Sequence, residues 1–120
     1  MREIRIDTTE GSVGEPERWL PFLARELREP DSFVIVSDGR RDSYAQARNA
    51  GRTLEMEYRD GSPLRHFQAR GVGLDDVADL FAQWIEKERA FIDRYQWERL
   101  KDWDDHAANG QKDEDGVGTR

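Results

Sequence analysis

The stretch FVIVSDGRRDSYAQARNAGRTLEMEYRDGSPLRHFQA, residues 33–69, decides the fold. Runs of strand-forming residues alternate there with short turn signals. Phe33-Val34-Ile35-Val36 is the most apolar run of the chain, and its length and β-branching predict a buried central strand. Asp38-Gly39 ends it in a turn. Ser43 to Arg48, Arg52 to Arg59 and Leu64 to Ala69 read as three further strands, parted by Asn49-Ala50-Gly51 and Asp60-Gly61-Ser62-Pro63. Connections this short admit only antiparallel neighbours, because a parallel crossover needs about a dozen residues or more. Residues 33–69 are thus expected to form a four-stranded meander.

Alternation sorts the side chains into faces. Leu54, Met56 and Tyr58 share one side with Ala45, Ala47, Phe67 and Ala69. The opposite side carries Tyr44, Gln46, Arg48, Glu55, Glu57, Arg59, His66 and Gln68. The apolar side calls for a covering helix, and Leu74 to Glu88 supplies it. Leu74, Val77, Leu80, Phe81, Trp84 and Ile85 lie on one helical stripe, with Phe81 and Trp84 as the largest contributors. Asp75 and Asp76 complement the helix dipole in the first turn, and Lys87 and Arg89 do so at the end.

Outward from this unit the signals shorten. Arg2 to Ile6 alternates like a strand, which raises the expected sheet to four or five strands, and Thr8 to Gly14 reads as a loop. A short helix is expected over 16–28, with Trp19, Leu20, Leu23 and Leu27 as its buried stripe. Pro21 forces that helix either to begin near it or to bend. A less regular pattern over 90–103, with Phe91, Ile92, Tyr95, Leu100 and Trp103, predicts a C-terminal helix. Residues 104–120 hold five acids, two bases and only scattered small apolar residues. That is the composition of a disordered acidic tail. The expected architecture is α+β: residues 1–103 form one domain, an antiparallel meander packed on one long amphipathic helix.

Composition bounds the function. In 120 residues with a net charge of −7, 38% are charged and 36% hydrophobic, but four Trp, five Phe and three Tyr can still build a core. The acidic balance disfavours nucleic acid as a partner, since the overall field repels phosphates. No stretch approaches the ~18 apolar residues of a membrane span. The N-terminus lacks the apolar run of a secretion signal, so the expected location is the cytoplasm. Without cysteine there is no thiolate zinc site, and two histidines, His66 and His106, do not make a metal cluster. No metal and no cofactor is expected. Gly71-Val72-Gly73 precedes a helix, but it lacks the third glycine of a phosphate loop and is followed by two acids.

His66 with Glu55 or Glu57 could act as a base and its orienting carboxylate. No nucleophile is placed beside them, and a cross-strand pair explains the same spacing. Tyr95, Trp97 and Trp103 read as core or lid residues, although such aromatics also anchor partners.

Leu54-Glu55-Met56-Glu57-Tyr58-Arg59-Asp60-Gly61, then His66-Phe67, then Val77, Phe81 and Trp84, then Trp97, resembles the pattern of small uncharacterised actinobacterial proteins and of immunity proteins of bacterial polymorphic toxin systems. In these a meander leads into a helix with a Val/Leu-x-x-x-Phe core and a segment bearing Trp. The resemblance spans residues 43–103. It implies a stoichiometric inhibitor that occludes a toxin and carries no catalytic residue. An acidic surface would suit a basic nuclease as the toxin. The expected function is a non-enzymatic protein-binding module, immunity-like in form, with the eight polar residues of the sheet as its contact surface. The alternative is a small-ligand-binding or hydrolytic domain on the same polar face, with His66, Glu55, Glu57 and Arg48 as its constellation. Neither the partner nor the oligomeric state follows from the sequence.

Overall fold

In the computed structural model, which describes residues 4–39 and 42–100, one antiparallel sheet of seven strands is covered on one side by two helices. The strands are β1 (Arg5–Thr8), β2 (Gly11–Val13), β3 (Phe33–Ser37), β4 (Ser43–Asn49), β5 (Leu54–Asp60), β6 (His66–Val72) and β7 (Glu98–Arg99). Their order across the sheet is β2-β1-β3-β4-β5-β6-β7. The meander from β3 to β6 forms as its turns require. The sheet exceeds the expected four or five strands at both ends.

At the N-terminal end, part of the expected loop 8–14 is strand β2. Thr8 Oγ1 accepts the Glu10 amide at 3.1 Å and donates to the Gly11 carbonyl at 3.0 Å, which tightens a hairpin. Gly11 supplies the positive φ of 126° that the turn needs. At the other end, the helix expected over 90–103 does not form within the described residues. Ala90–Asp93 is a single 3-10 turn, and β7 follows. The aromatics there have no helical stripe to fill. Instead they gather around Tyr58, with Phe91 at 5.1 Å and Trp97 at 4.8 Å between ring centroids. Trp103, His106 and the expected tail lie outside the described residues.

The helix layer holds the two helices expected over 16–28 and 74–88, each shorter than its expected span. Helix α1 spans Trp19–Glu26 and α2 spans Leu74–Ile85. Helix α1 begins two residues before Pro21, which therefore falls in the first turn, where amides lack intrahelical partners; of the two expected outcomes the helix takes the first and begins near the proline. In α2, Asp76 Oδ2 accepts the Gly73 amide at 2.9 Å, which caps the start. The end comes three residues before Glu88. The Glu88 amide reaches the Gln83 carbonyl at 2.8 Å and the Lys87 amide reaches that of Trp84 at 3.1 Å. This is a Schellman closure with Lys87, at φ 63°, in the left-handed seat usually held by glycine.

The core lies between the helices and one sheet face. Val34, Val36, Ala45, Ala47 and Met56 are fully buried against Leu23, Val77, Leu80, Phe81 and Trp84. Phe33 and Ile35 point the other way and stay partly exposed, so β3 is interior to the sheet but buried on one face only. The expected α1 stripe is also corrected. Phe22, Leu23 and Leu27 are buried, whereas Leu20 is 44% exposed.

Asp79 ties the C-terminal segment to α2. It accepts from Gln83 Nε2 at 2.8 Å, Arg94 Nη1 at 2.7 Å and the Tyr95 hydroxyl at 3.2 Å. Gln83 Oε1 in turn accepts the Phe91 amide at 3.0 Å. Burial pushes the Asp79 carboxyl up in pKa, but the bonds from Gln83 and Arg94 outweigh it and hold it below the usual range. Burial and the carboxylates of Asp76 and Asp79 push the Tyr95 hydroxyl up.

Candidate functional site

The face turned away from the helices is ruled by register. Ser12, Asp7, Ile35, Gln46, Glu57, Gln68 and Glu98 follow one another across all seven strands as one row. A second row runs Arg5, Ser37, Tyr44, Arg59, His66. A third runs Phe33, Arg48, Glu55, Arg70. The eight residues expected to form a site therefore do share one face and occupy adjacent positions on it. Arg70 belongs with them. It was missed because the expected strand ended at Ala69, whereas β6 runs on to Val72 through a bulge between positions 70 and 72. Gly71, at φ 68°, sits in that bulge, which is the structural role of a glycine in the Gly71-Val72-Gly73 run.

Within the grid the structure joins one set of groups tightly. His66 Nε2 lies 2.8 Å from Glu57 Oε1, while Gln68 Nε2 donates to Glu57 Oε2 at 2.9 Å. Arg70 Nε donates to Gln68 Oε1 at 2.7 Å. Arg59 Nε donates to His66 Nδ1 at 3.1 Å. A guanidinium has no lone pair to offer, so Nδ1 must accept, and the ring proton sits on Nε2, facing Glu57. Burial raises the Glu57 carboxyl in pKa, but the bonds from His66 and Gln68 prevail and leave it below the usual value. The His66 ring is fully enclosed, with the Tyr44 ring edge-on at 5.9 Å. Burial raises the pKa of the Tyr44 hydroxyl, while the nearby Arg59 pulls it the other way.

The arginines are held from the turns. Arg48 Nη1 reaches Asp31 at 2.6 Å, and Arg59 Nη1 reaches Asp42 at 3.2 Å. Both aspartates adopt positive φ, 69° and 57°, a conformation their short polar side chains tolerate better than most. Arg48 Nη2 also approaches Glu55 at 3.4 Å, so Glu55 pairs with Arg48 and Glu57 with His66. Glu55 therefore takes no part in a dyad with the imidazole.

Other groups on the face keep free capacity. The Tyr44 hydroxyl, the Gln46 amide and the terminal nitrogens of Arg70 have no hydrogen-bond partner among the described residues. Gln46 lies opposite the partly exposed Ile35 and Tyr44 is two residues along β4, whereas Arg70 stands at the far end of the row that begins at Phe33. Charge is balanced across the grid: Arg5, Arg48, Arg59 and Arg70 face Asp7, Glu55, Glu57 and Glu98. Among the described residues no group of three or more His, Asp or Glu side chains could hold a metal ion, and no helix is long and apolar enough to cross a membrane. No family model matches the chain, and no similar protein was found among curated proteins or among solved structures.

Proposed function

We propose that this chain is a protein-binding module, with an immunity-like stoichiometric inhibitor as its form, and that it meets its partner through the polar face of the sheet. One observation carries the reading. The face combines groups locked by mutual hydrogen bonds with Tyr44 and Gln46, which lie on β4 beside Ile35, and Arg70, two strands away on β6, whose remaining polar atoms are left for something outside the described residues. A rigid platform displaying Tyr and Arg next to apolar surface is the composition of an interface hot spot. Fixing the support residues in advance lowers the ordering cost of binding.

The contact at 2.8 Å between His66 and Glu57 favours a second reading, a hydrolytic or ligand-binding site. Against it, both imidazole nitrogens are engaged, and a substrate would have to displace Arg59 to reach Nδ1. The open hollows of about 410 to 610 Å³ around α1 are lined by other residues.

A photo-crosslinking side chain at position 46, in the cell that makes the protein, tests the first reading. A discrete adduct of defined stoichiometry from position 46, absent when the same group is placed at the exposed Glu86 position, is expected. No adduct, together with no protection against a toxin encoded beside the gene, would overturn it. Loss of a hydrolytic activity in His66→Ala, with the fold retained, would establish the second reading instead.

A further inference from the structure

The charge balance of the polar face leaves the net negative charge of the chain to the rest of the surface. Helix α2 with its cap, Leu74 to Glu86, carries Asp75, Asp76, Asp79 and Glu86 and no base. Beside its first turn lies an open groove of about 610 Å³, formed by Leu20, Pro21 and Ala24 of α1 against Gly73, Leu74, Asp75 and Asp76. Both ionisable residues lining it are acidic. Asp76 is used in capping Gly73, whereas Asp75 is exposed and has no partner among the described residues.

The apolar lining is unusual for this helix layer. Leu20 lies on a helix whose other leucine, Leu23, is fully buried, but it is turned into the groove at 44% exposure. Val13, at 41% exposure, lines an adjoining hollow of about 450 Å³ that shares Pro21 with the groove. Two of the large apolar side chains left exposed thus line hollows that share one proline; the hollow with Val13 has a mixed rim of Glu17, Arg18, Arg25 and Glu26, whereas the groove with Leu20 has only acids. The patch is firmly seated. Trp19 packs its ring at 5.3 Å from Phe81 and 5.8 Å from Phe22, fixing α1 to α2 directly beneath it.

We infer that the α1–α2 groove docks an apolar side chain of a partner protein, presented between lysine or arginine residues. Leu20, Leu74 and Pro21 would remove the apolar group from water, and Asp75 would face the flanking cations. An acidic rim on an apolar seat sets both the partner chemistry and its approach, since charge complementarity acts on encounter and register while the buried group supplies affinity. The site is separate from the polar sheet face and does not depend on it.

The test uses the full chain, labelled with ¹⁵N, and three synthetic peptides: Lys/Arg-flanked Leu-Phe, the same basic residues flanking Ser-Ser, and Leu-Phe flanked by Glu. Titration with the first peptide is expected to shift the amides of Leu20, Ala24, Leu74 and Asp75, and those shifts are expected to weaken with added salt. Leu20→Ser should reduce that affinity about tenfold, the loss expected from one apolar anchor. Asp75→Lys should reduce it by about two- to fivefold at low salt and improve binding of the acidic peptide. Gln46→Ala should leave it unchanged, so failure here and failure of the polar face as an interface are told apart. Equal shifts with the Ser-Ser peptide would mean charge alone. Shifts in the groove on raising protein concentration without peptide would mean a second copy. Shifts confined to the sheet face, or none, would mean no seat. Each of these results would overturn the inference.

Discussion

Val34, Val36, Ala45, Ala47 and Met56, under the helices, have no exposed surface and are placed by volume alone. Gln46 and Glu57, one residue away along β4 and β5, lie on the other face with His66 and Gln68 of β6, where His66 is equally inaccessible but is placed by direction, through bonds of 2.8 to 3.1 Å to Glu57 and Arg59. A single pleat separates two kinds of order. The apolar face forgives chemistry-neutral swaps and punishes a change of volume. The polar face forgives loss of volume at its rim and punishes loss of a partner inside the network. The first kind of order holds the fold together, and the second shapes a surface.

That contrast can be broken at its strongest point first. Trp84→Ala removes the largest enclosed side chain, which packs on Tyr58 and lies beneath Arg89 at 4.0 Å. A loss of about 3–5 kcal/mol is expected in urea unfolding. A loss below ~1 kcal/mol would show that the helix layer is not the main source of stability.

Glu57→Ala should cost about 2 kcal/mol, because the His66 Nε2–H and the Gln68 amide lose their acceptor. It should also change the acid limb. The folded-state pKa of Glu57 is depressed, so its contribution is present above the unfolded value of about 4.5 and is lost as pH falls through the lower folded value. Unfolding free energy measured from pH 6 to pH 2 should therefore fall less steeply in the variant than in the parent. Parallel curves would deny that the network holds an ionised carboxylate.

A smaller effect of opposite sign is expected on the helix side. Lys87→Gly relieves a side chain from the left-handed seat that closes α2 and should gain up to about 1 kcal/mol, read as a higher Tm. The smallest effect is predicted in the middle of the polar face. Gln46→Ala removes a side chain with no hydrogen-bond partner among the described residues and should change stability by less than ~0.5 kcal/mol in urea unfolding. A large stability loss there would mean that this position is part of the scaffold.

Much of this was legible beforehand. The turns at Asn49-Ala50-Gly51 and Asp60-Gly61-Ser62-Pro63 fix antiparallel order, and strict alternation in β4 and β5 separates Ala45, Ala47, Met56 and Tyr58 from Gln46, Glu57 and Arg59. Arg70 was not legible, because a bulge at Gly71 carries the strand past an apparent end. Nor was the choice of Glu57 over Glu55 as the partner of His66. Both glutamates have the same parity, and only the register of β5 against β6, which sets His66 opposite Arg59 and one row from Glu57, decides between them.

The sequence by itself therefore determined the local terms of this protein: where the chain turns, which side of each strand is apolar, and that Leu74 begins an amphipathic helix. These depend on residues within one turn or one strand of each other. The tertiary structure alone decided that β2 and β7 extend the sheet, that Phe91 and Trp97 pack around Tyr58 instead of lining an α-helix, that Leu20 faces outward, and that Arg59 claims the second nitrogen of His66. Each of these is a competition for one partner or one volume, settled by strand register and by packing between elements, which residue type and spacing along the chain do not set.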